Sequence, residues 1–332
     1  MRTIRIHAFG TPEVMRVEET PVPSPGPGQV LIAVEAVSVG FAQTQMRRDI
    51  FPAPMWKPTF PIVLGGDVVG TVAALGEGVT GIREGDRVGA FTLHGAYAEY
   101  VAVDADTVLP VPAGMDAARA TALPGSGPIA MGVLATASLR RGETVLVHAA
   151  SGGIGHLAVQ AARAAGAGRI IATAGSARKL DFVRELGADV LVDYSRDDWS
   201  DRVRDATGGQ GVDIVLDGVG GEGLRTGVGL LAPFGRLVFY GSSAGGRAVP
   251  AVSPMELIGM RSLTCFALGQ WRTSRREEYL AHHETLVGHL TDGTVRHAIH
   301  STLPLEEAAK AHEIVESRAH TGRVVLLTGR DG

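Results

Sequence analysis

Six short apolar runs constrain this chain more than any other feature. TVLVHA (144–149), RIIATA (169–174), DVLVDY (189–194), VDIVLD (212–217), GRLVFYG (235–241) and SLTCFA (262–267) follow one another at near-regular spacing. Most are separated by helix-compatible stretches such as HLAVQAARAAGA and ARKLDFVRELGA. Continuously apolar strands alternating with amphipathic helices form a parallel sheet covered on both faces, because each crossover lays a helix on the sheet. Six such strands predict a doubly wound α/β unit of the dinucleotide-binding kind.

The chain before residue 120 has a different rhythm. IRIHAF, VLIAVEAVSV, IVLGGDVVGTVAAL, DRVGAF and AYAEYVAV are valine-rich and broken by Gly, Pro and Asp signals. That is the pattern of a compact β-rich domain. Glycine reaches 45 of 332 residues, scattered rather than repeated, so the excess implies many turns and not low complexity. After the sixth strand come LEEAAKAHEIVES, with Glu306 and Glu307 at a helix start, and the strand GRVVLLT. This tail is expected to return to the first domain, making the parallel-sheet unit an insertion. The boundaries read as 1–122 with 267–332 for one domain and 123–266 for the other.

Several classes are excluded. The net charge of −4 comes from interspersed signs with no basic block, which argues against nucleic acid. The only cysteine is Cys265, so no internal disulfide or multi-thiolate zinc site can form. The 20 uncharged residues between Arg119 and Arg140 are long enough for a bilayer, but Pro124, Pro128, three glycines and several hydroxyls break them. They read as buried loop and helix, no membrane partner is expected, and the compartment is read as cytoplasmic.

The strand TVLVHA runs into Ala150-Ser151-Gly152-Gly153-Ile154-Gly155 and then a helix. The spacing is that of G-x-G-x-x-G with alanine first, where small residues let backbone N–H groups approach a pyrophosphate at a helix start. A tight β–α turn without a ligand is the plainer alternative, and the six-strand rhythm speaks against it. About 20 residues further on, an NAD site places an acid for the ribose 2′-hydroxyl. Here the run is Gly175-Ser176-Ala177-Arg178-Lys179, a hydroxyl and two cations suited to a 2′-phosphate and therefore to NADPH.

Together with PIVLGGDVVGTVAALGEGV (61–79), EGDRV (84–88), GAYAEY (95–100), HAASGGIG (148–155) and VDIVLDGVGG (212–221), these motifs resemble the medium-chain dehydrogenase/reductase superfamily. Within it the chain resembles the zinc-independent quinone oxidoreductases, the zeta-crystallin-like group, over almost its whole length. The resemblance implies a Rossmann domain inserted into a GroES-like catalytic domain, NADPH in the cleft between them, and a homodimer built through the Rossmann sheets. It also implies that Tyr194 supports the adenosine phosphate, that the turn at Val219 adjoins the cofactor, and that Tyr240, Gly241, Ser242, Phe266 and Leu268 lie along the nicotinamide. Zinc-holding members use an early cysteine and a G-H-E histidine. This chain has no early cysteine and reads Gly65-Gly66-Asp67, so no metal is expected. His282, His283 and His289 read as a solvated helix face.

Without a Lewis acid, an acceptor must spread the negative charge itself, as a quinone or an alkene conjugated to a carbonyl does. Reduction of such an acceptor by NADPH is therefore the expected activity, with a small-molecule electron acceptor as partner. The segment GFAQTQMRRDIF (40–51) aligns with the family's N-F-x-D-x-Y-x-R-x-G-x-Y, so Gly40 replaces Asn, Gln43 replaces Asp, and Gln45 and Phe51 replace tyrosines. Gln43 and Gln45 remain candidate donors to a carbonyl, with Arg47 and Arg48 as candidate steering cations. Trp56 is a candidate aromatic wall. Ser126, His94 and Tyr97 complete the polar candidates of the substrate region. The altered segment keeps two alternatives open: a specialised reductase or cyclase for a large aromatic or polyketide-like substrate, and a non-redox NADPH-binding protein.

Overall fold

The computed structural model describes residues 1–51, 56, 58–245 and 250–329. The chain divides into two compact units, Met1–Ser126 with Ala298–Gly332, and Gly127–His297.

The first unit opens with β1 (Arg2–Ile6), paired antiparallel to β2 (Met15–Glu19), and continues with the long β3 (Gln29–Val39). The short helix α1 (Phe41–Arg47) follows, then β4 (Leu64–Leu75), β5 (Arg87–His94), β6 (Tyr100–Asp104), β7 (Leu109–Pro110) and α2 (Ala117–Ala120). In β3 nearly every position is buried, and in β4 the first seven are. Val30, Ile32, Val34, Val37 and Val68 are all fully enclosed, each contributing about 1.5–3 kcal/mol of burial.

The second unit begins with α3 (Gly127–Thr136) and enters its sheet at β8 (Thr144–Val147). Then come α4 (Gly155–Ala164), β9 (Arg169–Ala174), α5 (Ala177–Glu185), β10 (Val190–Asp193), α6 (Trp199–Ala206), β11 (Val212–Asp217), α7 (Glu222–Gly229), β12 (Leu231–Phe239) and β13 (Ser262–Cys265). All six strands are parallel, in the order β10-β9-β8-β11-β12-β13. Each apolar run of the sequence is thus a strand, and the doubly wound order is the expected one.

Two helices, α8 (Leu268–Ser274) and α9 (Arg276–Asp292), close this unit. The indole of Trp271 meets the ring of Phe266 at 5.8 Å and that of Tyr279 at 5.4 Å, both edge-on. A boundary at 266 therefore falls short, because residues 267–297 pack with the second unit. His283 on α9 is buried, and His282 stands edge-on to Trp271 at 5.5 Å, so this helix face is packed rather than solvated.

The tail supplies β14 (Ile299–Pro304), α10 (Ala308–Glu316) and β15 (Arg323–Leu327). The path β14-β15-β3-β4-β5-β7 forms one sheet, with β6 also paired to β3. The last strand thus lies against the third, and the second unit is an insertion in the first. Among the described residues no helix is long and apolar enough to cross a membrane.

Candidate functional site

The residues read as cofactor-binding stand at the carboxyl ends of the six parallel strands, where open α/β sheets take their ligands. Strand β8 ends at Val147, and the loop 148–154 leads into α4. A Cβ at Gly155 would stand 2.4 Å from the Ala149 carbonyl oxygen, so only glycine lets the helix start pass this close to the strand end. The amide of Gly152 donates to Ala149 O at 3.0 Å, and that of Ala150 to Thr173 O at 2.9 Å, tying the loop containing Ser151, Gly153 and Ile154 to β9. No side chain caps the start of α4. An uncapped helix start in a small-residue loop is suited to a pyrophosphate.

Two histidines flank the loop. His148 is buried, with Nδ1 3.0 Å from Thr173 Oγ1 and its ring edge-on to Trp199. Burial holds its imidazole below the ordinary range, while Asp217 pulls the other way. His156 Nδ1 lies 2.8 Å from Gly152 O, and its ring stacks on His297 at 5.5 Å.

At the end of β9, Gly175, Ser176 and Arg178 are exposed and Lys179 is half-buried in the first turn of α5. The Tyr194 ring, just after β10, lies over Gly175, with atoms 3.3–3.5 Å from where a Cβ would stand. A hydroxyl, two cations and an aromatic ring thus share one exposed strand end. At the end of β11, Asp217 Oδ1 accepts from the amides of Val219 (2.7 Å) and Gly220 (3.0 Å) and fixes that turn. Tyr240 follows β12, its ring against Gly218, and a Cβ at Gly241 would stand 3.1 Å from Gly218 O. Burial pushes the Tyr240 phenol well above its ordinary value, with Asp217 adding to the rise. Ser242 Oγ donates to Gly245 O at 3.2 Å. Phe266 follows β13 with its amide on Phe239 O at 2.8 Å, and Leu268 is buried at the start of α8.

In the first unit the structure redistributes the polar candidates. Segment 41–47 is a helix, and Gln43 caps it, its Oε1 accepting from the Gly40 amide at 3.0 Å. Gln45 is buried in the same helix. Arg47 steers nothing: its side chain is fully buried, with Nε donating to His312 Nδ1 at 3.2 Å and Nη2 paired with Glu316. Arg48 is half exposed, 3.8 Å from Glu316. Tyr97 belongs to a loop rather than a strand, and its fully buried hydroxyl meets His312 Nε2 at 3.1 Å. Phe51 packs against the core, and Trp56 lies within it, stacked on His94 at 4.4 Å and 14°. The Trp56 ring is core packing rather than an open wall.

Sequence reasoning missed the polar cluster at the ends of β3, β4 and β15. Ser38 Oγ donates to Asp67 Oδ2 at 2.8 Å, and Arg323 Nη2 stands 3.7 Å from the same oxygen. All three side chains are buried, and Gly125-Ser126 lies against Asp67. Burial raises the Asp67 carboxyl above its ordinary range, and Arg323 and Ser38 oppose that rise. The polar residues inside apolar strand runs were the available signal.

A family model described as alcohol dehydrogenase GroES-like domain matches residues 26–113, and one described as zinc-binding dehydrogenase matches 153–285. The chain is 33% identical over 331 residues to a quinone oxidoreductase of Rattus norvegicus, covering 98% of both. It belongs to the zinc-independent quinone oxidoreductase group of the medium-chain dehydrogenase/reductase superfamily. This medium-chain oxidoreductase is also 34% identical over 328 residues to a 2-haloacrylate reductase of a Burkholderia species, covering 97% of each. The Escherichia coli quinone oxidoreductase solved in complex with NADPH superposes with a TM-score of 0.90 at 30% identity, covering 98% of this chain and 100% of that one. Among the described residues of this medium-chain oxidoreductase, no three His, Cys, Asp or Glu side chains gather as a metal site.

Proposed function

We propose that this chain is an NADPH-dependent, zinc-independent reductase whose acceptor is a quinone or an alkene conjugated to a carbonyl. The observation that carries the cofactor choice is the exposed end of β9. Ser176, Arg178 and Lys179 stand there beside the Tyr194 ring, with no carboxylate at the position that would hold a ribose 2′-hydroxyl. Lys179 and Ser176 take the 2′-phosphate, the loop Ser151–Gly155 takes the pyrophosphate, and the strand ends at Val219, Tyr240 and Phe266 adjoin the nicotinamide. Bound NADPH supplies a hydride. The chain's own contribution is to hold the acceptor in place and exclude water, since a conjugated carbonyl delocalises the charge it takes up.

The protein works as a homodimer through the outer edge of β13, with the cytoplasm as its compartment. Strand β13 ends the six-stranded sheet, and Phe234, Met255, Ile258 and Met260 are 64–73% exposed in the segments that lead to it. An open strand edge beside exposed large apolar side chains is suited to pairing with a second copy.

The test is a fluorescence titration with NADPH and NADH followed by mixing with 1,4-benzoquinone and 9,10-phenanthrenequinone, and with an enone. NADPH-selective binding and equimolar loss of NADPH absorbance are expected. Selective binding without oxidation of any acceptor would overturn the reductase reading.

A further inference from the structure

The loop between β8 and α4 contains one peptide with no side chain on either flank, that joining Gly152 to Gly153. Two adjacent glycines leave this peptide plane free to turn, and the way it faces decides what the loop can bind. A trans peptide carries its C=O and N–H on opposite edges, so whatever fixes the Gly152 oxygen also aims the Gly153 N–H. Among the described residues no hydrogen bond uses the amides of Gly153, Ile154 or Gly155. Three successive donors are therefore left for a ligand, provided the peptide keeps its direction.

The Gly152 oxygen is held twice, both times by His156. The His156 amide donates to it at 3.1 Å, and the ring Nδ1 lies 2.8 Å from it. A carbonyl oxygen can only accept, so Nδ1 carries the proton and donates. Any residue at position 156 could make the main-chain bond. The second bond needs a side chain with a donor at that short reach.

The ring is held in place from several directions. His156 is fully buried, His297 stacks on it at 5.5 Å and 15°, and Phe182 of α5 stands 6.3 Å away. The segment carrying His297 is itself tied to α4. Gln160 Nε2 donates to Arg296 O at 3.0 Å, and Gln160 Oε1 accepts from the Arg296 amide at 2.8 Å. The same Nε2 donates to His156 O at 2.8 Å. All of these residues belong to the second unit.

We propose that His156 is a positioning residue for the dinucleotide: its ring holds the Gly152 carbonyl towards α4 so that the Gly153 N–H faces the pyrophosphate. The inference rests on the cofactor reading above and adds the side chain that orients the loop. An N–H donating to a charged phosphate oxygen is the stronger kind of hydrogen bond. A turned peptide would present the Gly152 oxygen instead, replacing that donor with an acceptor that repels the phosphates.

The test uses the full-length protein, two variants that separate the ring from its donor, and ligands with and without a pyrophosphate. His156→Phe keeps an aromatic ring beside His297 and removes the donor. His156→Asn loses the ring and keeps an N–H at the same reach from the backbone. His156→Phe should bind NADPH and NADH about 10-fold more weakly and adenosine 2′-monophosphate, which has no pyrophosphate, as wild type does. His156→Asn should stay within about 3-fold of wild type for all three ligands. In the wild type NADP⁺ should slow hydrogen exchange at the Gly153 amide, and His156→Phe should lose most of that protection. Exchange at Gly153 that NADP⁺ leaves unchanged in the wild type overturns the proposal without any variant. An equal loss for adenosine 2′-monophosphate also overturns it, since general damage to the unit would produce that pattern. So does the reverse order, with His156→Asn weak and His156→Phe normal, because ring packing would then be the whole role. A wild type that binds neither dinucleotide removes the cofactor reading together with the proposal. Tight, wild-type binding of both dinucleotides by His156→Phe removes the proposal alone.

Discussion

Nε2 of His312 and the hydroxyl of Tyr97 lie 3.1 Å apart, and the other nitrogen of the same ring accepts from Arg47 Nε at 3.2 Å. Because the arginine Nε can only donate, Nδ1 must carry the lone pair and the ring proton sits on Nε2, pointing at Tyr97. The ring is neutral. Burial, followed by the adjacent Arg47 charge, pushes the His312 pKa down to about 3.

This arrangement makes stability depend on pH. The folded value lies below the unfolded value of about 6.5, so between the two the unfolded chain binds more protons. The contribution is complete above pH 6.5 and is lost as pH falls towards 3, at up to about 1.4 kcal/mol per pH unit. Urea unfolding of wild type and His312→Gln at pH 4, 5, 6 and 7 checks it. The variant should be less stable at pH 7 by about 2–4 kcal/mol and should show a shallower loss on acidification. Parallel curves would show that His312 is not the group responsible.

The cofactor assignment predicts a discriminating variant. Lys179→Ala should weaken NADPH binding about 10- to 100-fold and leave NADH binding nearly unchanged, since the lost interaction is with the 2′-phosphate alone. Isothermal titration with both dinucleotides reads this directly. An equal loss for both would remove Lys179 from the phosphate.

The strands of the second unit were legible because each is a continuous apolar run between polar helices, so hydrophobic period alone marks them. The glycine loop and the basic end of β9 were legible for a similar reason: their chemistry is local in sequence. What escaped was non-local. FAQTQMR reads as a polar segment because only Met46 among its buried members is apolar; Gln43, Thr44, Gln45 and Arg47 are buried too, and the partners of Arg47 include His312 and Glu316 at the far end of the chain. GAYAEY alternates like a strand, yet Tyr97 is turned inward to the same histidine. Asp67 and Arg323 each sit in an apolar run and become a pair only through the register of β3 with its two neighbours.

Close backbone approach at the cofactor loop gives a third prediction. An alanine methyl at Gly155 would press into the Ala149 carbonyl at 2.4 Å and lie 2.8 Å from the Ala150 Cα, and neither can rotate away as a side chain could. The loop must shift away from β8. Gly155→Ala is therefore expected to cost about 1–3 kcal/mol in urea unfolding and to weaken both NADPH and NADH by a similar factor. That symmetry distinguishes it from Lys179→Ala. Binding of both dinucleotides at wild-type strength would mean that the loop does not form the pyrophosphate site.

The edge of β13 gives the last. Met260 is 73% exposed, Ile258 64% and Met255 70%, all in the segment that leads into the terminal strand, and the Phe234 amide ties that segment to β12 by donating to Gly259 O at 2.8 Å. Large apolar side chains held outward on an ordered segment cost nothing to the folded monomer when replaced by a charge, but a charge cannot enter a dry interface without several kcal/mol of desolvation. Met260→Asp should therefore leave unfolding of the single chain within about 0.5 kcal/mol of wild type. The same change should convert the proposed dimer to monomer in sedimentation velocity. Dinucleotide binding should survive, because the strand ends proposed to carry it all belong to one unit of a single chain. A variant that sediments as wild type would overturn pairing through this edge.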